Sequence, residues 1–475
     1  MSSSTDQAPQ EFDVIVVGGG PVGENAADRA HKAGLTVALV EHHLVGGECS
    51  FYACSPSKAL LRPVHVTRAS QRVQGSEGAH LDRRGVFARR DTWINNLSDT
   101  GAVGWLDHVG IDLLRGTGRL AGERRVEVGE EQYEARHAVI VSTGTAPLVP
   151  DLPGLRGCAP WTNREATTAK VVPERLAVLG GGVAACELAL VYTALGSAVT
   201  IIEQEDRILG RLEEFAAEAV AESLRKDGAD LRLGTTATAV SRAGTHGEVT
   251  IELDRGGPVR ADEILVAVGR TPNTGDLGLD TVGARTGEQG YLEVNEAMEV
   301  QGVAGEQPWL YAVGDVNGIS LLTHMGKYQG RACGDLVAAR ALGRADTASS
   351  MTPFATGLGS PQVVFTDPEV AATGLTEEQA RSRGIRVRVV DVPMDSAAGS
   401  GLQAEGYQGR ARIIVDEDAE TIVGATFVGQ DVAELVHAAT VAIVGGVPLS
   451  TLWHAVPSFP TMSEIWLRLL ETYGL

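Results

Sequence analysis

Nowhere does the 475-residue chain run to the ~18 uninterrupted apolar residues that a membrane-spanning helix needs. The opening segment MSSSTDQAPQEFD is polar with no apolar core, so no signal peptide is expected there, only a frayed lead-in to a cytoplasmic protein. Basic residues are also short. Forty Lys and Arg stand against 61 Asp and Glu, and the resulting formal charge of −21 repels a phosphate backbone or an anionic membrane surface. The expected partner is a small molecule, not a nucleic acid or a membrane. Cysteine is scarce as well, with five residues, and a reducing compartment disfavours a persistent structural disulfide. A zinc site is not expected, because neither a second close cysteine pair nor a nearby histidine pair supplies the remaining ligands.

Glycine, by contrast, is plentiful: 58 residues, which imply tight turns and close backbone approach to ligands. At roughly 150 residues per domain the length suggests about three domains. In FDVIVVGGGPVGENAADRAHKAGLTVALVE an apolar run, Val14 to Val17, enters Gly18-x-Gly20-x-x-Gly23. A helical stretch and a second apolar run follow, ending on Glu41. Gly18 permits the turn, Gly20 lets the backbone approach a pyrophosphate, Gly23 allows close helix packing, and Glu41 would accept from a ribose hydroxyl. The same order returns at RLAVLGGGVAACELALVYTALGSAVTIIE, with Gly180, Gly182 and Ala185 opening a helix and Glu203 closing the next strand. Two such turns imply two dinucleotides, so the chain can hold both a flavin and a nicotinamide. Glu203 stands where an arginine would serve a 2′-phosphate, which favours NADH over NADPH, although Arg207 is close by.

Short apolar strands that end in small polar turns come next, in HAVIVSTGTAP (137–147), ADEILVAVGRTPN (261–273) and WLYAVGDVNG (309–318). They look like crossings between nucleotide domains. After a polar stretch near 343–351, alternating strands (386–394 and 411–429) and the helical DVAELVHAATVAIVGG indicate a separate α+β domain with no nucleotide fingerprint. The fold expected is α/β, with two doubly wound Rossmann-like dinucleotide-binding domains and a C-terminal α+β dimerisation domain. The expected boundaries are 1–150 and 271–350 for the FAD-binding and central parts, 151–270 for the NAD(P)-binding domain, and 351–475 for dimerisation.

Two of the five cysteines share the segment GGECSFYACSPSK (46–58). A close pair in a reducing compartment points to redox or metal chemistry. Taken in order, Gly18/Gly20/Gly23 with Glu41, the Cys49 and Cys54 segment, STGTAP with Gly144, Gly180/Gly182 with Glu187, VGRTPN with Gly269, AVGDV with Gly314 and Asp315, FTDPEVAATG (365–374) and FPTMSE (459–464) resemble the pyridine nucleotide-disulfide oxidoreductase family. That group contains dihydrolipoamide dehydrogenase, glutathione reductase and mercuric reductase, and the resemblance runs from about residue 11 to 471. It implies that hydride passes from NAD(P)H to FAD, that the flavin reduces a Cys49–Cys54 bridge, that Cys54 is the thiolate beside the flavin, and that Cys49 faces the substrate. Lys58 and Glu187 match the family's ion pair beside the flavin, where an ammonium stabilises charge on the reduced ring. Asp315 matches a flavin-contacting aspartate. Cys158, Cys186 and Cys333 are expected in the core. Five residues of regular helix rise about 7.5 Å, more than a disulfide normally spans, so the bridge requires a distorted turn, and a strained bridge is easier to reduce.

One position departs from the pattern. Family members that exchange with dithiols carry His-Pro-Thr near the C-terminus, in a segment that completes the partner subunit's site, with a glutamate orienting the histidine. Here Pro460, Thr461, Ser463 and Glu464 match, but the histidine position is Phe459. A phenyl ring accepts no proton. His454, five residues upstream, is a candidate substitute; otherwise the acceptor has acidic thiols, or takes electrons from the flavin directly. Phe51 and Tyr52 inside the cysteine loop either pack in the core or border a planar acceptor. No cysteine follows Cys333, which argues against mercuric reductase and the large thioredoxin reductases. The expectation is a homodimeric FAD enzyme that uses Cys49 and Cys54 on a disulfide or dithiol other than routine lipoamide or glutathione. The alternatives are an NAD(P)H:quinone reductase or diaphorase, and a redox-sensing flavoprotein.

Overall fold

The computed structural model describes residues 9–76, 78–244, 247–344 and 359–475. The first eight residues of the expected lead-in, and the polar stretch from 345 on, lie outside the described residues. The chain forms two compact units, one of Met1–Cys54, Ile94–Ala146 and Arg270–Gly357, the other of Ser55–Trp93, Pro147–Gly269 and Leu358–Leu475.

The first unit is built on a mixed sheet. Strand Gln10–Val17 lies between Val37–Glu41 and Glu131–Val141, parallel to both, and Asp112–Arg115 and Leu310–Ala312 extend the parallel set at either side. Arg125–Val128 and Gly118–Leu120 add an antiparallel flap. The strands read as continuous apolar runs because both faces are covered: Val14, Ile15 and Val16 are wholly buried, as are Leu39 and Ile140. Helix Pro21–Lys32 covers one face and packs along the long helix Thr323–Ala341 through Ala26, Ala27 and Ala30.

The second unit contains a parallel sheet in the order Asp230–Arg232, Ala198–Ile202, Arg175–Leu179, Glu263–Val266. An antiparallel flap follows (Ala237–Arg242, Val249–Leu253, Val259–Ala261). Its C-terminal part is a five-stranded antiparallel sheet ordered Gln362–Val364, Glu369–Gly374, Thr421–Gly429, Arg410–Asp416, Val387–Pro393. Helices Val436–Val444 and Ile465–Tyr473 pack against it. These are the Rossmann-type sheets and the α+β domain that the sequence leads one to expect. No helix among the described residues is long and apolar enough to cross a membrane.

Candidate active site

The cysteine segment folds as two helices with a break between them. Gly47–Phe51 forms one short helix, Tyr52 leaves helical geometry at φ −133°, and an 18-residue helix starts at Cys54. The Glu48 carbonyl accepts from both the Tyr52 and the Ala53 amides, so the turn between the cysteines is widened. This is the distortion that a five-residue spacing demands. Both cysteines are half-buried. Thr323 Oγ1 donates to Cys49 Sγ at 3.2 Å and lies 3.3 Å from Cys54 Sγ, so the sulfurs can be no farther apart than those two distances end to end. Cys54, as the first residue of a long helix, sits where unpaired backbone N–H groups favour a thiolate.

The two aromatics of the loop part company. Phe51 is buried in the core, whereas Tyr52 stacks on His43 with centroids 5.9 Å apart and its hydroxyl 3.0 Å from His43 Nε2. Cys158, Cys186 and Cys333 are buried. Burial pushes the Cys186 and Cys333 thiols far up, so neither is a nucleophile. No group of residues suited to a metal ion occurs among the described residues.

At the first glycine turn Gly18 takes φ +112°, and a methyl group on Gly23 would fall 1.9 Å from the Gly18 carbonyl oxygen. These two glycines are fixed by the chain's own packing. Gly20, which caps the helix Pro21–Lys32, is different: a Cβ there meets nothing nearer than Gly47 Cα at 4.0 Å. The space beside its backbone suits a pyrophosphate at a helix N-terminus. Glu41 is buried, accepting from Gly19 N at 2.8 Å and from His43 N at 2.7 Å. Asp315 stands in the short turn Gly314–Asn317, after Gly314, whose amide donates to Gln329 Oε1 at 2.7 Å. Burial raises the Asp315 carboxyl, and Thr145, donating to it at 3.0 Å, and the nearby Arg270 guanidinium oppose that rise. Arg270 also pairs with Glu48 at 2.8 Å and donates to Thr145, so the residue before Cys49 is tied to the turn around Asp315. Gly144 accepts from Asn273 N in the same unit.

In the second unit Gly180 takes φ +102°, Gly182 caps the helix Val183–Ala194, and a Cβ on Gly182 meets nothing within 4 Å. Glu203 repeats the role of Glu41, accepting from Gly181 N at 2.5 Å and Glu205 N at 2.9 Å. Arg207 donates to the Gly210 carbonyl at 3.0 Å. Gly269, at φ +145°, accepts from Leu148 N. Lys58 Nζ lies 2.7 Å from Glu187 Oε2 and 4.9 Å from the centroid of Phe365, whose amide donates to Glu187 Oε1 at 3.0 Å. Near the C-terminus Glu464 is buried and held by Ala398 N at 3.0 Å and by Arg468 at 2.5 Å. His454 is exposed and its side chain pairs with none of the described residues. Phe459 is 77% exposed.

The model of the family described as "Pyridine nucleotide-disulphide oxidoreductase" matches residues 12–331, and that of its dimerisation domain matches 360–469. The chain belongs to this family. It is 36% identical over 464 residues to a dihydrolipoyl dehydrogenase of Thermus scotoductus, covering 95% of each chain. A mercuric reductase of Staphylococcus aureus is 30% identical over 460 residues, 96% of this chain and 81% of that one. Among solved structures it is similar to the HOCl-induced flavoprotein disulfide reductase RclA from Escherichia coli, with TM-score 0.83, 25% identity, and coverage of 97% and 99%. It is accordingly an FAD-dependent pyridine nucleotide-disulfide oxidoreductase, and the family implies FAD and NAD(P)H as its cofactors. The open Gly20 and Gly182 turns, each followed by an acid at the end of the next strand, fit two dinucleotides.

Thr323 and the Arg270–Glu48 pair were not legible as site residues in the sequence. Thr323 lies more than 250 residues from both cysteines and carries no motif of its own, and although Glu48 and Arg270 stand inside the cysteine segment and VGRTPN, 222 residues apart, nothing local to either names the other as its partner.

Proposed function

We propose that this enzyme oxidises NADH through FAD and the Cys49–Cys54 pair, and delivers the electron pair to a small disulfide or a comparable soft acceptor, not to lipoamide or glutathione as routine substrates. The observation that carries the reading is the single hydroxyl shared by the two sulfurs, at 3.2 Å from Cys49 and 3.3 Å from Cys54, which gathers both at one point of the site. FAD supplies a two-electron carrier between the nicotinamide and the dithiol. Gly20, on the turn that Gly18 and Gly23 fix, would leave room for its pyrophosphate, Glu41 would hold its ribose, and Asp315 its ribityl chain. Gly180, Gly182 and Glu203 would do the same for the nicotinamide dinucleotide. NADH is favoured because Glu203 closes that turn and Arg207 is turned onto a backbone carbonyl. Lys58, held by Glu187, stabilises negative charge on a reduced ring.

Cys49 faces the acceptor and Cys54 resolves the mixed disulfide. The family's dimerisation domain at 360–469 supports a homodimer, in which the exposed segment through Trp453, Val456 and Phe459 would complete the partner's site; we place it in the cytoplasm, where a dithiol stays reduced. Phe459 supports a second reading, direct transfer from flavin to a quinone, since no imidazole stands there to serve a thiol. RclA has also been solved as a Cu(II) complex, and a thiolate pair is a soft ligand set, so Cu(II) belongs among the acceptors to be tried. Anaerobic titration with NADH tests the proposal. A long-wavelength charge-transfer band after two electrons supports the dithiol route, and bleaching of the flavin with no such band overturns it.

A further inference from the structure

The dithiol keeps company with a hydroxyl. Thr323 Oγ1 is 3.2 Å from Cys49 Sγ and 3.3 Å from Cys54 Sγ. We infer that Thr323 is a proton relay between the two cysteines, forming the Cys49 thiolate without the histidine that Phe459 replaces. The inference rests on the dithiol reading above.

A hydroxyl has one proton to donate and lone pairs to accept with. In the orientation shown that proton points to Cys49, and rotated about the C–O bond to donate to a Cys54 thiolate instead, the hydroxyl can take the proton of Cys49 while passing on its own. The Cys49 S–H and the original Thr323 O–H bonds break, a new Thr323 O–H and a Cys54 S–H form, and the charge and electron count of the three groups stay the same. The starting state is set by the helix that begins at Cys54, whose N-terminal dipole favours the anion on that sulfur. The relay is also well placed. Thr323 is the first residue of the 19-residue helix Thr323–Ala341, so its hydroxyl is positioned by a long element. Within four residues along the chain of Cys49, Cys54 or Thr323, the other charged or titratable residues are Glu48, Tyr52, Lys58, His324 and Lys327. Glu48 precedes Cys49, and the Arg270 guanidinium 2.8 Å away offsets its charge, so it does not oppose a thiolate next door.

The test uses FAD-loaded protein reduced with dithiothreitol, alkylated with iodoacetamide from pH 5 to 9, and read at each cysteine by peptide mass. For Thr323→Val, which removes the hydroxyl that both relays the proton and donates to the Cys49 sulfur, Cys49 alkylation at pH 7 should slow about tenfold, the equivalent of a thiolate midpoint raised by about one pH unit. Thr323→Ser, which keeps the hydroxyl, should stay within about twofold of the parent protein. A Cys49 profile in the valine variant that matches the parent, or one that serine does not rescue, overturns the relay. Should the valine variant fail to retain FAD, Thr323→Ala takes its place under the same two criteria. Reduction by dithiothreitol bypasses hydride transfer. If NADH fails to expose the two thiols in the parent protein, the redox reading falls, and the relay is still decided by the chemically reduced samples.

Discussion

Lys58 and Glu187 are 129 residues apart in sequence and 2.7 Å apart in space. The pair is lopsided: the lysine side chain is 37% exposed and the glutamate 3%. Removing the ammonium leaves a buried carboxylate with the Phe365 amide as its remaining hydrogen-bond donor among the described residues, whereas an amide at 187 can still accept from that N–H and lets Lys58 turn to water. Breaking a fully buried pair costs about 3–5 kcal/mol, and solvent on the lysine side reduces that to roughly 2 kcal/mol for Lys58→Met. Glu187→Gln should cost under about 1 kcal/mol. Denaturant melts of the two variants compare them. Equal losses would show that burial of the carboxylate is not what makes the pair matter.

The first glycine turn separates folding from ligand binding within one motif. A methyl group on Gly23 meets the Gly18 carbonyl oxygen at 1.9 Å and Ser142 Oγ at 2.6 Å, and both are held by the sheet. Gly23→Ala should lower the melting temperature and yield protein without flavin. On Gly20 the nearest protein atom is 4.0 Å away, so Gly20→Ala should fold with an unchanged circular dichroism melt while losing FAD affinity about tenfold or more. Bound-flavin absorbance beside the melt decides it. A Gly20→Ala protein with full flavin content would remove the pyrophosphate from that turn.

Those glycine turns were readable from sequence because strand, turn, helix and acid are contiguous, and their spacing alone fixes a local geometry. The cysteine segment was half-readable. The five-residue spacing requires a broken turn, and the break falls at Tyr52 and Ala53, but which way Tyr52 would face depended on His43 stacking against it. Lys58 and Glu187 could be paired in advance only through family resemblance, since nothing local to either names the other. Thr323 could not be found at all. Its hydroxyl acquires meaning only when the long helix brings it to two sulfurs more than 250 residues away.

A buried carboxylate gives the second unit a pH dependence. Burial raises Glu369 to about 7, with the negative charges of Asp431 and Asp367 adding to it and the Ala433 amide opposing. His65 Nδ1 lies 3.9 Å away, and burial lowers that histidine despite Asp367, helped by the nearby Arg62 and Arg68. Because the folded value of Glu369 lies above its unfolded value of 4.5, the native state holds the extra proton between those limits, and stability falls as pH rises from about 4.5 to about 7. Glu369→Gln cannot lose a proton. It should therefore be more stable than the parent at pH 8, by on the order of 1–3 kcal/mol, with the difference shrinking toward pH 5. Thermal melts across that range check the sign, and a variant that gains nothing at pH 8 would show that Glu369 ionises freely where it stands.

The sharpest test of the acceptor joins Cys49 to Phe459. If the thiol faces the acceptor, Cys49→Ser should abolish disulfide reduction while leaving NADH-driven quinone reduction largely intact, because quinones need only the flavin. Equal loss of both activities would refute that division. Phe459 asks the complementary question. Its ring is 77% exposed, and Glu464, five residues further on, is already held by Ala398 N and Arg468. A carboxylate has about four lone-pair sites, so those two bonds leave room for an imidazole N–H. A positioned general base contributes about 10²–10⁴-fold, and an imperfectly oriented one less. Phe459→His should therefore raise turnover of dihydrolipoamide by at least about tenfold, with a new dependence on an ionisation near pH 6.5, the ordinary histidine value. If turnover does not change, proton removal is not what limits dithiols here, and the shape of the acceptor site has to account for their exclusion.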